Sequence, residues 1–198
     1  MKIRAQRGFT LTELAIVLGI VGGIIGGIWY AASNANIANK AQKSATQIMQ
    51  IYNGYKSIYT RTGIDTASCF TATNDVTCLG VNAGFFPSEM VLGACTPNTP
   101  STYPQTPWGN GSYATVQTCQ SHNTFAITYS ALSQASCISL ANAIYNSTSA
   151  MSYQAMYNGT TWFSQWVTSA TPPWTSATIA AQCGANNSNA VQIGLLAQ

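Results

Sequence analysis

The chain has 198 residues, of which only 6% are charged: seven Lys and Arg, four Asp and Glu, with a single His beside them. A soluble domain ordinarily carries about 25% charge, so the polar surface has to come from Ser, Thr, Asn and Gln, which are abundant after residue 96. So few titratable groups leave little for acid–base or metal chemistry, and the length suits one domain with a real core plus an extended element.

Lys2, Arg4 and Arg7 open the chain, with no acid before Glu13, and residues 14–32 then run without charge or proline. At ~1.5 Å per residue, a helix over that run is about 28 Å long, close to a bilayer's hydrocarbon thickness. Basic residues ahead of such a run hold that end in the cytoplasm, so the body after Ala32 is expected on the exported side. Glu13 is the anomaly. A carboxylate near the bilayer centre costs about 2.5–3.5 kcal/mol, less at the edge. It either rests at the headgroups or finds a partner.

Residues 7–18, Arg-Gly-Phe-Thr-Leu-Thr-Glu-Leu-Ala-Ile-Val-Leu, resemble the processing motif of type IV prepilins and pseudopilins. In that motif a basic leader ends in Gly, an apolar residue follows, and Glu is the fifth mature residue. The resemblance implies that residues 1–8 are a leader, cleaved between Gly8 and Phe9 by a prepilin peptidase, with N-methylation at Phe9. It also implies that Glu13 pairs with the Phe9 amine of a neighbouring subunit. A buried charge left alone costs ~3–5 kcal/mol, so this pair would set the axial register of a filament. Loss of the leader leaves Lys40, Lys43, Lys56 and Arg61 against Glu13, Asp65, Asp75 and Glu89. No basic patch of the kind nucleic acid requires remains.

Gly19, Gly22, Gly23, Gly26 and Gly27 create overlapping G-xxx-G spacings, which let helices approach closely in lipid. Each also costs a helix about 1 kcal/mol relative to Ala, so this section is expected to soften outside the bilayer, as the resemblance to pilins implies. Farther on, Ala41, Ala45, Ile48, Tyr52, Tyr55 and Tyr59 form one helical stripe, with Lys40, Lys43, Gln47, Gln50 and Asn53 mostly off it. No proline interrupts residues 9–61. One continuous helix over 9–62 is predicted, stopping at Thr62-Gly63.

Residues 64–112 read as a loop-rich connector with Phe85-Phe86-Pro87 as a hydrophobic anchor. Residues 111–118 and 124–129 read as a hairpin around a polar turn, Gln120–Asn123, that holds His122. Residues 133–144 read as a short helix capped by Ser133, with Cys137, Leu140, Ala141 and Ile144 on its buried stripe. A strand with an Asn-Gly turn is expected over 155–163, and a possible edge strand near Ala190–Leu195.

The six cysteines are even in number, lack a CxxC pair and accompany one histidine, which argues for disulfides in an exported body and against zinc. Sequence proximity favours Cys69–Cys78, Cys95–Cys119 and Cys137–Cys183. Pro107-Trp108-Gly109-Asn110-Gly111, the hairpin, the cysteine-bearing helix and the distal cysteine resemble the PilS group of type IVb pilins, which build conjugative thin pili. That resemblance implies a D-region closed by Cys137 and Cys183, whereas the eight-residue leader and Phe9 are type IVa in character. Trp162, Trp166 and Trp174 lie between those two cysteines. They either fill the core and an inter-subunit groove or form an exposed aromatic patch that binds sugars or a recipient cell.

The expectation is therefore an α+β chain of type IV pilin fold. It comprises a leader (1–8), an N-terminal helix (9–62, with 9–32 as transmembrane segment and filament core) and a globular head (63–198) on an antiparallel sheet. The expected role is the structural subunit of a surface filament for attachment, conjugation or related functions; a minor pilin, a tip adhesin and a type II secretion pseudopilin are the alternatives. Identical subunits, the prepilin peptidase, the assembly machinery and, before assembly, the inner membrane are the implied partners; the filament is extracellular. No nucleophile–base motif or phosphate loop occurs, so no enzymatic activity, metal, cofactor or nucleic acid is expected.

Overall fold

The computed structural model describes residues 10–62, 74–109, 111–119, 124–145, 151–168 and 171–196, without the side chains of 59–62 and 151. The Gly8–Phe9 junction, Gly63, Asp65, Cys69 and His122 lie outside the described residues. The chain is α+β, and the described residues form one long N-terminal helix, three shorter α-helices and a five-stranded antiparallel sheet. It divides into two compact units, residues 1–38 and 39–198.

Helix α1 (Leu11–Thr62) is continuous for 52 residues. The glycines at 19–27 do not interrupt it. In the first unit its apolar side chains, Leu14, Ile16, Val17 and Leu18 onward to Trp29 and Tyr30, are all exposed. The helix is long and apolar enough to cross a membrane.

In the second unit α1 buries Ala41, Ser44, Gln47, Ile48, Ile51, Tyr52 and Tyr55. This face is broader than the predicted stripe. Ile51 joins it, and Gln47 is buried rather than off it, because its amide has partners there: it donates to Glu89 Oε1 (3.0 Å) and accepts from the Tyr129 hydroxyl (3.4 Å). Lys43 pairs with the same Glu89 oxygen at 3.0 Å, and together with Gln47 it holds that carboxyl below the usual carboxylate range.

The connector contains a helix that the sequence reading did not assign, α2 (Thr77–Asn82). Its position is fixed from both sides. Cys78 is disulfide-bonded to Cys95, and Gly80 lies so close to the Tyr55 ring that a Cβ there would collide with the hydroxyl. The anchor at 85–87 is present: Phe86 and Pro87 are buried, and Phe85 meets Tyr55 edge-on at 5.1 Å.

The sheet runs β1 (Ala114–Cys119), β2 (Thr124–Leu132), β5 (Asn189–Leu196), β3 (Met151–Tyr157), β4 (Trp162–Trp166) in spatial order. The last strand is therefore central, not an edge. The physical reason is burial: Asn189 to Leu195 are buried on both faces, which an edge strand with a solvated face would not allow. Cross-strand register places Val116, Phe125, Ile127, Tyr129, Val191, Ile193 and Leu195 on the face that receives α1. Tyr52 and Tyr55 meet Phe125 there, at 5.4 and 5.7 Å between ring centroids. Full burial of each such side chain contributes about 1.5–3 kcal/mol.

Helix α3 (Gln134–Tyr145) buries Cys137, Leu140, Ala141 and Ile144, the predicted stripe, plus Tyr145. Ser133 caps it, its hydroxyl accepting from Ser136 N–H at 3.3 Å. The Tyr145 hydroxyl reaches the carbonyls of Ala155 and Gln192, which locks α3 to the sheet. A second helix absent from the sequence reading, α4 (Ser176–Gln182), is capped by Thr175 and delivers Cys183 to Cys137.

The disulfides correct the proximity argument. Cys78 pairs with Cys95, which overturns both Cys69–Cys78 and Cys95–Cys119, while Cys137–Cys183 is present as expected. Cys119 is also disulfide-bonded. Nearness in sequence misled because the helical turn of α2 aims Cys78 at the segment after the 3₁₀ turn Ser88–Met90, bringing the Cys78 and Cys95 Cα atoms within 5.2 Å.

Candidate functional sites

Thr10 and Glu13 form the first candidate site. The Glu13 carboxylate accepts from the Thr10 N–H (2.9 Å) and the Thr10 hydroxyl (2.8 Å), and Glu13 N–H donates back to that hydroxyl (3.3 Å). This is a reciprocal capping box: Thr-x-x-Glu satisfies donors that a helix start otherwise leaves without partners. The spacing was legible in the sequence as a cap, though the reading there assigned Glu13 only to the membrane edge and to a neighbouring subunit.

The second candidate site lies on the sheet face opposite the helices. Register places Thr115, Gln117, Thr128, Gln192, Tyr157 and Trp162 on it. Two cavities of about 320 Å³ each open here. Tyr113, Ser130 and Trp162 line both, so they adjoin. Trp162 comes from edge strand β4, while Gln117 comes from the opposite edge, β1, and Asp75 pairs with Gln117 beyond that edge. On a flat sheet at about 4.8 Å per strand those edges would stand about 19 Å apart. Both edges nonetheless contribute to the lining of one cavity.

Asp75 is held from two directions. One carboxylate oxygen accepts from Thr77 N–H and hydroxyl, and the other from the Tyr103 hydroxyl, which in turn accepts from Asn98 N–H at 2.9 Å. Burial, with Asp75 next to it, pushes the Tyr103 phenol up to about 12. Gln192 donates to Thr128 (2.8 Å) and Gln117 (3.4 Å), tying three strands together on this face.

The three tryptophans do not form one patch. Trp162, 50% exposed, stacks on Tyr157 at 5.2 Å, and Trp166 packs on Tyr153 at 4.9 Å on the same face. Trp174 belongs to the helix face, where it meets Tyr145 at 6.0 Å and donates from its backbone to Gln154. Counting along the chain could not separate them. The register of β3 with β4 does, since Trp162 and Trp166 are four residues apart in one strand and Trp174 follows it. Among the described residues no group of three or more His, Cys, Asp or Glu is placed to hold a metal ion.

No protein-family model matches the chain, and neither does any curated protein.

Proposed function

We propose that this chain is a type IV pilin, a subunit cleaved after Gly8, drawn from the membrane and polymerised non-covalently into an extracellular filament. The observation that carries this reading is the coincidence of the Gly8-Phe9-x-x-x-Glu13 motif with the start of one uninterrupted helix. That helix has an uncharged apolar section followed by a face that packs on an antiparallel sheet. The disulfide Cys137–Cys183, which brackets β3, β4 and α4, fits the D-region of the same reading.

The glycines add support. A Cβ placed on Gly19, Gly22, Gly23, Gly26 or Gly27 would meet nothing within 4 Å. Packing among the described residues thus gives no reason for residues that each cost a helix about 1 kcal/mol. Close approach of neighbouring helices gives one. In the filament, Glu13 would exchange its local partner Thr10 for the Phe9 amine of the next subunit, or share it between them.

Mass spectrometry of sheared filaments tests the proposal. The expected species begins at N-methylated Phe9, has lost six thiol hydrogens and dominates the preparation. A chain that keeps its leader and is absent from filaments would overturn it. A chain that is processed but scarce in filaments would mark a minor pilin.

A further inference from the structure

The groove on the outer face of the sheet sets aromatic rings beside hydrogen-bonding side chains that the head itself holds in place. We propose that it is a binding site for a neutral oligosaccharide, with Trp162 as the stacking platform and Asp75 and Gln117 as hydrogen-bonding groups. The inference stands on the head alone and does not depend on the filament reading.

The lining selects the ligand class. Tyr103, Tyr113, Tyr157 and Trp162 supply aromatic surface, interleaved with amides, hydroxyls and one carboxylate. Among the described lining residues there is no Lys, Arg or His. A phosphate, a nucleic acid or an acidic glycan would thus meet Asp75 without any compensating cation. A wholly apolar ligand would strand the amides and hydroxyls, and burying a polar group without a partner is costly. A sugar ring answers both demands: its C–H faces lie against aromatic rings while its edge hydroxyls both donate and accept. The volume of each cavity falls at the lower end of ligand sites, about 300–1,000 Å³. Two adjoining cavities suit a chain of rings rather than a single one.

The site is also built before any ligand arrives. Asp75 is fixed by Thr77 and Tyr103, yet its Oδ2 accepts one hydrogen bond and has a further lone pair to offer. Trp162 is braced on one side by Tyr157 and half-exposed. Asn98 and Ala131, the two non-glycine residues with left-handed backbone among those described (φ 59° and 57°), both line the groove. Asn takes this conformation readily, but Ala seldom does, and such residues cluster at binding sites. Ala131 sits where the β2–β5 register shifts between Tyr129 and Leu132, so the irregularity shapes the rim.

The test uses the full chain in a detergent without sugar headgroups, titrated with neutral tetrasaccharides of glucose and of N-acetylglucosamine and with an acidic tetragalacturonate. Tryptophan emission and calorimetry are the readouts. Saturable binding of at least one neutral tetrasaccharide is expected, with none of the acidic one. Trp162→Ala should weaken it roughly tenfold or more, Gln117→Ala should weaken it too, and Trp174→Phe on the opposite face should leave it unchanged. Circular dichroism checks that each variant folds. The absence of saturable binding by either neutral sugar overturns the proposal, as does retained affinity in folded Trp162→Ala. So does a Trp162→Ala phenotype confined to filament assembly, which would make this face a contact between subunits.

Discussion

Thr10 and Glu13 satisfy each other: hydroxyl and backbone N–H of the first bind the carboxylate of the second, and the second's N–H returns to the hydroxyl. The acid at the head of the apolar run therefore has a partner inside its own chain. Removing a helix cap costs about 0.5–2 kcal/mol, too little to prevent insertion of a run as long as 14–32. On the proposed pilin reading, Glu13→Ala is expected to yield a membrane-inserted, processed chain that fails to assemble. Quantifying sheared filaments against membrane-bound protein checks this, and normal filaments from the mutant would remove the register role from Glu13.

Gly54 faces Phe85, and a Cβ there would lie 2.7 Å from the ring's Cγ. In an open helix, alanine would gain about 1 kcal/mol over glycine. Here the obstructing atom is near the Phe85 backbone, and the ring is held against Tyr55, so overpacking of ~1–3 kcal/mol prevails. Gly54→Ala should lower the unfolding midpoint, and Gly54→Ala with Phe85→Ala should lower it by less than the sum of the two single changes.

The two disulfides with defined partners should differ in worth. Cys137–Cys183 closes 46 residues and Cys78–Cys95 closes 17. Chain-entropy reasoning gives about 4 and about 3 kcal/mol respectively. Paired serine substitutions followed by urea unfolding should rank them in that order. Cys137/Cys183→Ser should also loosen α4, seen as faster proteolysis within 176–182.

Asn189 is fully buried and closes the loop after Cys183. Its amide nitrogen faces the carbonyls of Leu132, Gly184 and Asn186, and its oxygen accepts from Gly184 N–H at 2.7 Å. Asn189→Ala leaves these groups without their partner, at ~1–3 kcal/mol. The urea midpoint should fall with the slope unchanged. Asn189→Asp should be worse, because it points a buried carboxylate at three carbonyls.

Tyr103 makes the head sensitive to alkali. An unfolded tyrosine ionises near ~10, whereas the folded phenol is pushed up to about 12 by burial and by Asp75. Below the unfolded value both states keep the proton and the full contribution is present. As pH rises from there toward the folded value, only the unfolded chain ionises, and stability falls. Burial shifts Tyr129 and Tyr145 in the same direction. Tyr103→Phe should flatten the earliest part of the alkaline decline, measured by tyrosinate absorbance together with circular dichroism.

What could be read in advance follows the range of the interactions. The α1 helix, the Ser133 cap, the α3 stripe and the hairpin strands depend on neighbours within a few residues, and the structure has them close to their expected bounds. The short helices α2 and α4 were missed because six or seven residues carry too little periodic signal; a disulfide at each holds them in place. Gln47 was misplaced because a polar residue enters a buried face only when distant partners, here Glu89 and Tyr129, are there to receive it.

By itself the sequence determined the long apolar helix, the stripe of α3 with its Ser133 cap and the α+β class of the fold, since composition and short spacings suffice for each. Only the tertiary structure decided that β5 enters the centre of the sheet, that Cys78 joins Cys95, and that Trp162 and Asp75 border one groove while Trp174 lies behind it. Those outcomes depend on strand order and register. Both are set by the joint burial of residues far apart in the chain, which no local pattern records.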